Sequence, residues 1–205
     1  ILTHIRLSEK VFNMRRLLLI LILTFNFQSL TKADDIRDFE IERMSLYDSA
    51  LKYFKKKELK DLENGYKSDN YSTATIYSSK FIQYEALQIS FKTGDSNYKI
   101  LDITGSISMN YKSCINKLDY FENEFSKMFT KANKEKNDDY PHPADQSEES
   151  RITDIYWYFA SGDIIIAQCY NWDSKMGRTL KYKDELKITV GSKEFDDFII
   201  NEAYK

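Results

Sequence analysis

Residues 152–172 read ITDIYWYFASGDIIIAQCYNW, two runs of apolar and aromatic residues that flank Ala160-Ser161-Gly162. This pattern is typical of two antiparallel strands joined by a three-residue loop, with Gly162 as the left-handed bulge residue. In this register Phe159 pairs with Asp163. Because side chains alternate along a strand, a two-residue loop would move the residues of one strand to the opposite face of the sheet. The length of the loop therefore decides which residues share a face.

The two faces of this hairpin differ in chemistry. One face carries Cys169 with five apolar residues, namely Ile155, Trp157, Phe159, Ile165 and Ala167. The other face carries Tyr156, Tyr158, Ile164, Ile166, Tyr170 and Trp172. Tyrosine and tryptophan combine a large apolar area with a hydrogen-bonding group, which favours a binding surface on this second face. We therefore expect the binding residues to be Tyr156, Tyr158, Tyr170 and Trp172. The alternative is a core face, covered by N-terminal helices or by the loop at residues 173–183.

Apolar periodicity predicts the elements outside the hairpin. Alternation of apolar and polar residues predicts strands near residues 73–79, 87–91, 101–107 and 186–190. Helical spacing predicts helices at residues 45–57, 59–64 and 111–132, and a last helix from residue 192. Residues 131–150 continue without periodicity and are expected to form an exposed linker loop. The sequence thus predicts an α+β fold with an antiparallel sheet of about six strands and helices packed on one face. Two N-terminal helices would precede a βββα-βββα pseudo-repeat.

The N-terminal residues have the layout of a secretion signal. Arg15 and Arg16 precede the uncharged run 17–27, and Thr31-Lys32-Ala33 is a candidate cleavage site. The run is shorter than the about 18 apolar residues of a spanning helix, although an uncleaved membrane anchor is the alternative. We expect an upstream reading-frame extension at residues 1–13, a signal peptide at 14–33 and a single periplasmic domain at 34–205. No stable membrane span is expected after cleavage near Ala33.

The chain contains two cysteines, Cys114 and Cys169, and export would place them where thiols pair. We expect a disulfide that closes a loop of about 56 residues, which the chain-entropy model values at about 4 kcal/mol. Two separate buried thiols are the alternative, because a sequence does not show proximity. A redox role is disfavoured because the chain has no Cys-x-x-Cys spacing. A helix that carries Cys114 should then cover the Cys169 face of the hairpin.

The charge of the chain disfavours one class of partner. Five of the 30 basic residues and one of the 32 acidic residues precede Asp34. Residues 34–205 therefore carry 25 basic and 31 acidic residues, a net charge of −6. A net-negative chain with mixed signs lacks the basic surface that neutralises phosphates, so no nucleic-acid partner is expected.

No motif in the sequence specifies catalysis or a cofactor. A Gly-x-Ser-x-Gly elbow, a cysteine–histidine pair and a phosphate-binding glycine loop are missing, so no catalytic residue is assigned. His142 is the sole histidine of residues 34–205, and one imidazole near Asp145 does not predict a metal site. Asp102 and Asp154 fall within predicted strands, whose polar faces normally contain such residues.

Several stretches of the chain resemble a group of exported proteins. These stretches are residues 38–49, 142–145, 161–163, 169–170 and 194–204. Together they are similar to small exported proteins of unknown function from streamlined, AT-rich marine alphaproteobacteria. The resemblance covers nearly all of residues 34–205, and it implies a periplasmic location but no activity. The segment from Met44 also resembles, more distantly, the small outer-membrane-assembly lipoprotein fold. It has Arg43 where that motif has glycine, and it lacks the lipid-bearing cysteine.

Three functions are compatible with these patterns. The first is a non-catalytic binding protein that uses the aromatic sheet face for a periplasmic protein or small ligand. The second is a carboxylate-dependent hydrolase, which requires a concave pocket with two carboxylates of perturbed pKa. The third is a structural envelope component, which requires a large flat interface.

Protein isolated from the periplasm is expected to begin at Asp34 and to contain linked Cys114 and Cys169. The short apolar run favours release from the membrane, and an oxidising compartment favours pairing of the thiols. An intact mass and a peptide map without reductant measure the two properties, with a reduced sample as the control. A product that retains residues 17–27, or two free thiols, would contradict the expectation.

Overall fold

The computed structural model describes residues 35–59, 66–143 and 145–203, and a seven-stranded antiparallel sheet is the main feature of this part of the chain. The expected reading-frame extension and signal peptide lie outside the described residues. Residues 60–64 of the second expected N-terminal helix lie outside them as well. The prediction of an α+β fold built on an antiparallel sheet is confirmed.

The strands in chain order are β1 (Tyr71–Tyr77), β2 (Ala86–Lys92), β3 (Asp102–Ser108), β4 (Asn133–Pro141), β5 (Arg151–Tyr158), β6 (Ile164–Asn171) and β7 (Glu185–Gly191). Their order across the sheet is β1-β2-β3-β7-β6-β5-β4, so two meanders meet where β3 pairs with β7. The helices of the described residues are α1 (Tyr111–Met128), α2 (Ser174–Leu180) and α3 (Lys193–Asn201). Short 3₁₀ helices lie at Ile36–Asp38 and Ala50–Lys52.

The hairpin of β5 and β6 has the register that its sequence predicts. The backbone N–H of Phe159 donates to the carbonyl of Asp163 at 3.0 Å. Gly162 has a left-handed φ of 87°, as the bulge position requires. The loop therefore has three residues, and Cys169 and Trp157 are buried on the same face.

Helix α1 covers this buried face. Its apolar stripe buries Cys114, Leu118 and Phe125. The ring of Phe125 packs edge to face on Trp157, with the ring centroids 5.2 Å apart. The Sγ atoms of Cys114 and Cys169 lie 1.97 Å apart, so the structure agrees with the expected disulfide. The pairing fixes the start of α1 over the middle of the sheet.

Strand β4 occupies the first part of the segment that the sequence predicted as an exposed linker loop, so that prediction was wrong for residues 133–141. β4 pairs with β5 at one edge of the sheet, with a bulge between Asn137 and Tyr140. Its side chains are mostly exposed, so its sequence shows no alternation of apolar and polar residues. Lys134 and Lys136 connect it to α1 through the carboxylate of Glu122, with Nζ–O distances of 2.5 and 3.1 Å.

The N-terminal segment is less helical than the sequence predicts. In place of a helix over residues 45–57, the structure has a 3₁₀ turn at Ala50–Lys52. Tyr47 has a positive φ of 72°, which an α-helix does not allow. The segment pairs instead with Ile100, whose backbone accepts from Tyr47 and donates to Asp48, each at 2.8 Å. The apolar residues of this segment are spaced as in a helix, but the segment that carries them into the core has no regular helical structure.

The helices lie on both faces of the sheet, so the prediction that they share one face was wrong. Helix α3 packs against Tyr71 through Phe195 and Phe198, on the face opposite α1. The βββα pseudo-repeat is not confirmed either, because the second half has four strands and α2 precedes its last strand. Helix α3 therefore closes one end of the second face of the sheet.

Candidate functional site

An open cleft of about 580 Å³ lies on the sheet face opposite α1. Five strands form its floor, from β1 across to β6. Many floor residues are Thr, Ser or Gln, with hydroxyl or amide side chains, and these are Thr73, Thr75, Gln88, Ser90, Thr104, Gln168 and Thr189. Each such group donates or accepts hydrogen bonds. The cleft therefore presents many hydrogen-bonding groups to one space.

Strand alternation explains why this face is polar. In β7, Leu186 and Ile188 are buried in the core, while Lys187 and Thr189 point into the cleft. Pairing of β3 with β7 places Thr104 opposite Thr189, and their hydroxyl oxygens lie 2.8 Å apart. One face of the antiparallel sheet thus packs in the core, and the other face forms the floor of the cleft.

The two ends of the cleft differ in chemistry. The aromatic end is formed by His142, Tyr170, Trp172 and Tyr182, and the acidic end by Asp102, Asp196, Tyr66 and Phe195. Asp102 pairs with Gly191 on β7, and Gly191 pairs with Ile164 on β6, so the three residues form one row across the sheet. Trp172 follows Ile164 by eight residues, so at about 3.3 Å per residue the two ends are about 26 Å apart. The cleft is therefore elongated along the strands.

Four rings cluster at the aromatic end. Tyr170 and Trp172 stack with their centroids 5.8 Å apart. His142 and Tyr182 pack on Trp172, with centroid distances of 4.3 and 4.5 Å. The Nζ of Lys187 lies 4.8 Å from the centroid of Tyr170. Burial, and then the charge of Lys187, lower the pKa of His142, which favours the neutral imidazole.

The four residues that the sequence predicts for binding form two stacked pairs. Tyr170 and Trp172 line the cleft. Tyr156 and Tyr158 stack on each other on β5, with centroids 5.6 Å apart, beside the cleft rather than in its lining. Cross-strand pairing puts both pairs on the same sheet face, and all four side chains are half-buried. Their role in binding stays a prediction.

Asp102 is the most buried ionisable group at the acidic end, with 9 % of its surface exposed. The Thr104 hydroxyl donates to its Oδ1 at 3.4 Å, which is long for a hydrogen bond. Burial raises the pKa of Asp102 to about 7, and the nearby charge of Asp196 acts in the same direction. Burial also raises the pKa of Asp196. Sequence reasoning missed this pair, because only the fold brings α3 over β3.

Asp154, the other aspartate within a predicted strand, has a different role. It is buried, and it accepts hydrogen bonds from the Tyr140 hydroxyl, from Asn137 Nδ2 at 3.2 Å and from Gln168 Nε2 at 3.3 Å. Burial and this carboxylate raise the pKa of Tyr140. Asp154 therefore joins β4, β5 and β6 and does not line the cleft.

The loop after β4 is organised by a carboxylate. Asp145 accepts hydrogen bonds from the backbone N–H groups of Ser147 and Ser150, each at 2.9 Å. These serines hold the pKa of Asp145 well below its usual range. Within residues 35–59, 66–143 and 145–203, no group of three or more His, Cys, Asp or Glu side chains is placed to hold a metal ion.

Comparisons with protein-family models, with curated proteins and with solved structures give no match for this chain. Among the helices that the structure describes, none has the length and apolar character needed to cross a membrane. The class of this protein is therefore described from its fold and its site alone. It is an α+β protein with an elongated polar cleft on one sheet face, aromatic at one end and acidic at the other.

Stability should fall with rising pH because of Asp102. Its folded-state pKa of about 7 lies above the unfolded value of about 3.9, so the folded state holds this proton more tightly. The resulting stabilisation is complete below about pH 4 and is lost as the pH rises through about 7. Its size is on the order of 4 kcal/mol.

Urea unfolding of the wild type and of Asp102→Asn, from about pH 4 to about pH 8, measures this contribution. Wild-type stability should fall relative to the variant as the pH rises. Asp138→Asn is the control, because Asp138 is an exposed aspartate on β4 with 72 % of its side chain accessible. If plots of unfolding free energy against pH ran parallel for the wild type and Asp102→Asn, the folded-state pKa of Asp102 would not be raised.

Proposed function

We propose that this protein binds a small, elongated polar ligand in the cleft, outside the cytoplasm and without catalysis. The observation that carries the proposal is the cleft of about 580 Å³ with its polar floor and aromatic end. Sites for small ligands are concave, with volumes of about 300–1,000 Å³ and a few placed polar groups. A concave floor favours a small ligand over a globular partner protein.

The chemistry of the lining supports a ligand that both donates and accepts hydrogen bonds. Hydroxyl side chains such as Thr104 and Thr189 have both capacities, as do the amides of Gln88 and Gln168. At the aromatic end, the stacked Tyr170 and Trp172 offer apolar area beside these polar groups. Tyr156 and Tyr158 extend the same face toward β4, where a longer ligand would contact them.

A periplasmic location is the second part of the proposal. It rests on the arginine pair and apolar run at residues 15–27, and on the pairing distance of Cys114 and Cys169. Disulfides persist in oxidising compartments and are rare in the cytoplasm. The ligand is then a small molecule of the periplasm.

Replacement of Trp172 should impair binding more than folding. Native mass spectrometry of wild-type protein, purified gently from the periplasm, should show a bound small molecule as a mass increment. Trp172→Ala should weaken the affinity about 30-fold or more, and so lower the occupancy, because an interface aromatic contributes about 2 kcal/mol or more to binding. Its unfolding free energy should fall by less than about 1.5 kcal/mol, because Trp172 is half-buried.

Trp157→Ala is the matched control for a tryptophan in the core. Trp157 is 1 % exposed, so its removal should lower the unfolding free energy by about 3–5 kcal/mol. A loss of the same size in Trp172→Ala would place Trp172 in the core. A wild-type protein that carries no bound small molecule would contradict the proposed function.

A carboxylate-dependent hydrolase is the second candidate, and the pair Asp102 and Asp196 is the observation that favours it. Both carboxyl groups line the cleft, and the pKa of each is raised. A carboxyl group with a pKa of about 7 is able to hold a proton at neutral pH and donate it to a leaving group. A second, ionised carboxylate would then activate water.

Assays with chromogenic glycosides and esters test this candidate. If it is correct, the wild type turns over at least one of these substrates, and Asp102→Asn lowers the rate by about 100-fold or more. Asp138→Asn should leave the rate unchanged. Equal rates for the wild type and Asp102→Asn would exclude Asp102 as the proton donor, and would leave the binding proposal unaffected.

A further inference from the structure

Asp102 is a buried carboxylate without a positively charged partner among the described residues. Its only hydrogen bond in the described chain is the long one from Thr104, and Oδ2 accepts none. Lys187, the lysine of the cleft lining, is paired with Glu185 at 3.2 Å and lies over the ring of Tyr170, toward the aromatic end. A buried carboxylate that ionises needs a counter-charge or several donors.

The surroundings of Asp102 are rich in acceptors. Thr73 and Ser90 hydroxyl oxygens lie 2.8 Å apart, and the Tyr66 hydroxyl lies 3.2 Å from Thr73. Each hydroxyl that donates to its neighbour retains lone pairs for another donor. Thr75 lies in the next row of the cleft floor, through Gln88 and Thr104, and its Oγ1 is buried without a hydrogen-bond partner in the described residues. A positively charged group with several N–H donors matches Asp102 and the hydroxyl groups nearest to it.

Gly191 leaves the approach to Asp102 open. A Cβ at this position would lie 3.3 Å from Asp102 Oδ2 and 3.3 Å from Ile164 Cγ1. A side chain as small as alanine would therefore press on the carboxylate from the β7 side. The absence of a Cβ therefore leaves space beside Oδ2 on the β7 side.

We propose that the acidic end of the cleft is a subsite for the ammonium group of an organic amine, with Asp102 as its counter-ion. Asp196 adds a second negative charge, and the rings of Tyr66 and Phe195 contact the carbon atoms next to the ammonium group. An ammonium ion, with three donors, suits one carboxylate and several hydroxyl groups. The rest of the amine follows the polar floor toward the aromatic end. This inference rests on the proposed binding function and names the class of ligand.

Benzylammonium and benzyl alcohol, which differ mainly in charge, are the probes. Titration of ¹⁵N-labelled protein at about pH 8, where more of Asp102 is ionised, is followed by amide chemical shifts. Benzylammonium should produce saturable shifts at β3 and α3, with an affinity about tenfold or more above that of benzyl alcohol. Asp102→Asn should remove most of this difference. Asp138→Asn should bind as the wild type does.

Gly191→Ala keeps the charge of Asp102 and obstructs the approach to it, so it should also weaken benzylammonium binding. The dispersion of the amide spectrum shows whether each variant is folded. Equal affinities for the two probes, or an unchanged affinity in Asp102→Asn, would overturn the ammonium subsite while leaving a binding cleft intact. Failure of both probes to bind would overturn it too, and a small molecule retained in native mass spectrometry would still support the proposed function.

Discussion

The three-residue loop that joins β5 to β6 is the constraint on which both faces of the sheet depend. Gly162 has a φ of 87°, and a Cβ there would lie 2.6 Å from Lys193 Cδ. A side chain at this position would be strained by the positive φ and would displace the side chain of Lys193. Because alternation along β6 has a period of two, the loop length directs Cys169 toward α1 and Tyr170 toward the cleft. The length of this one turn therefore decides which residues face the core and which face the candidate binding cleft.

Asp163, the next residue, connects this loop to two distant parts of the chain. Its Oδ1 accepts hydrogen bonds from the Tyr47 hydroxyl at 2.6 Å and from the Lys193 backbone N–H at 2.9 Å. Burial, and then the bond to Asp163, raise the pKa of Tyr47. A carboxylate that receives two donors from different segments holds them together. The N-terminal segment, the hairpin and the start of α3 are thereby joined, and Asp196 on α3 is placed beside Asp102.

The two sheet faces serve different physical purposes. The face under α1 is closed by Trp157, Phe125 and the paired cysteines, and it provides most of the buried apolar area. The cleft face has hydroxyl pairs and a carboxylate whose ionisation is disfavoured by burial. Such a group lowers stability at neutral pH, and buried ionisable groups in clefts are more often found at functional sites than elsewhere. The apolar packing of the core face offsets the stability that is lost by burying this carboxylate.

The sequence by itself determined the features that depend on local chemistry. The hairpin register follows from the Ala160-Ser161-Gly162 loop, and helix α1 follows from its apolar stripe. The cysteine pairing was expected from the export signal and the presence of two cysteines, and it agrees with that register. Only the tertiary structure decided the rest. The sequence of β4 resembles a loop, because an edge strand that packs neither face on the core carries no apolar alternation. The acidic end of the cleft needs β3, β7 and α3 side by side, although Asp102 and Asp196 lie far apart in the chain. The environment of Asp102 is a property of these neighbours, and no local pattern around residue 102 encodes it.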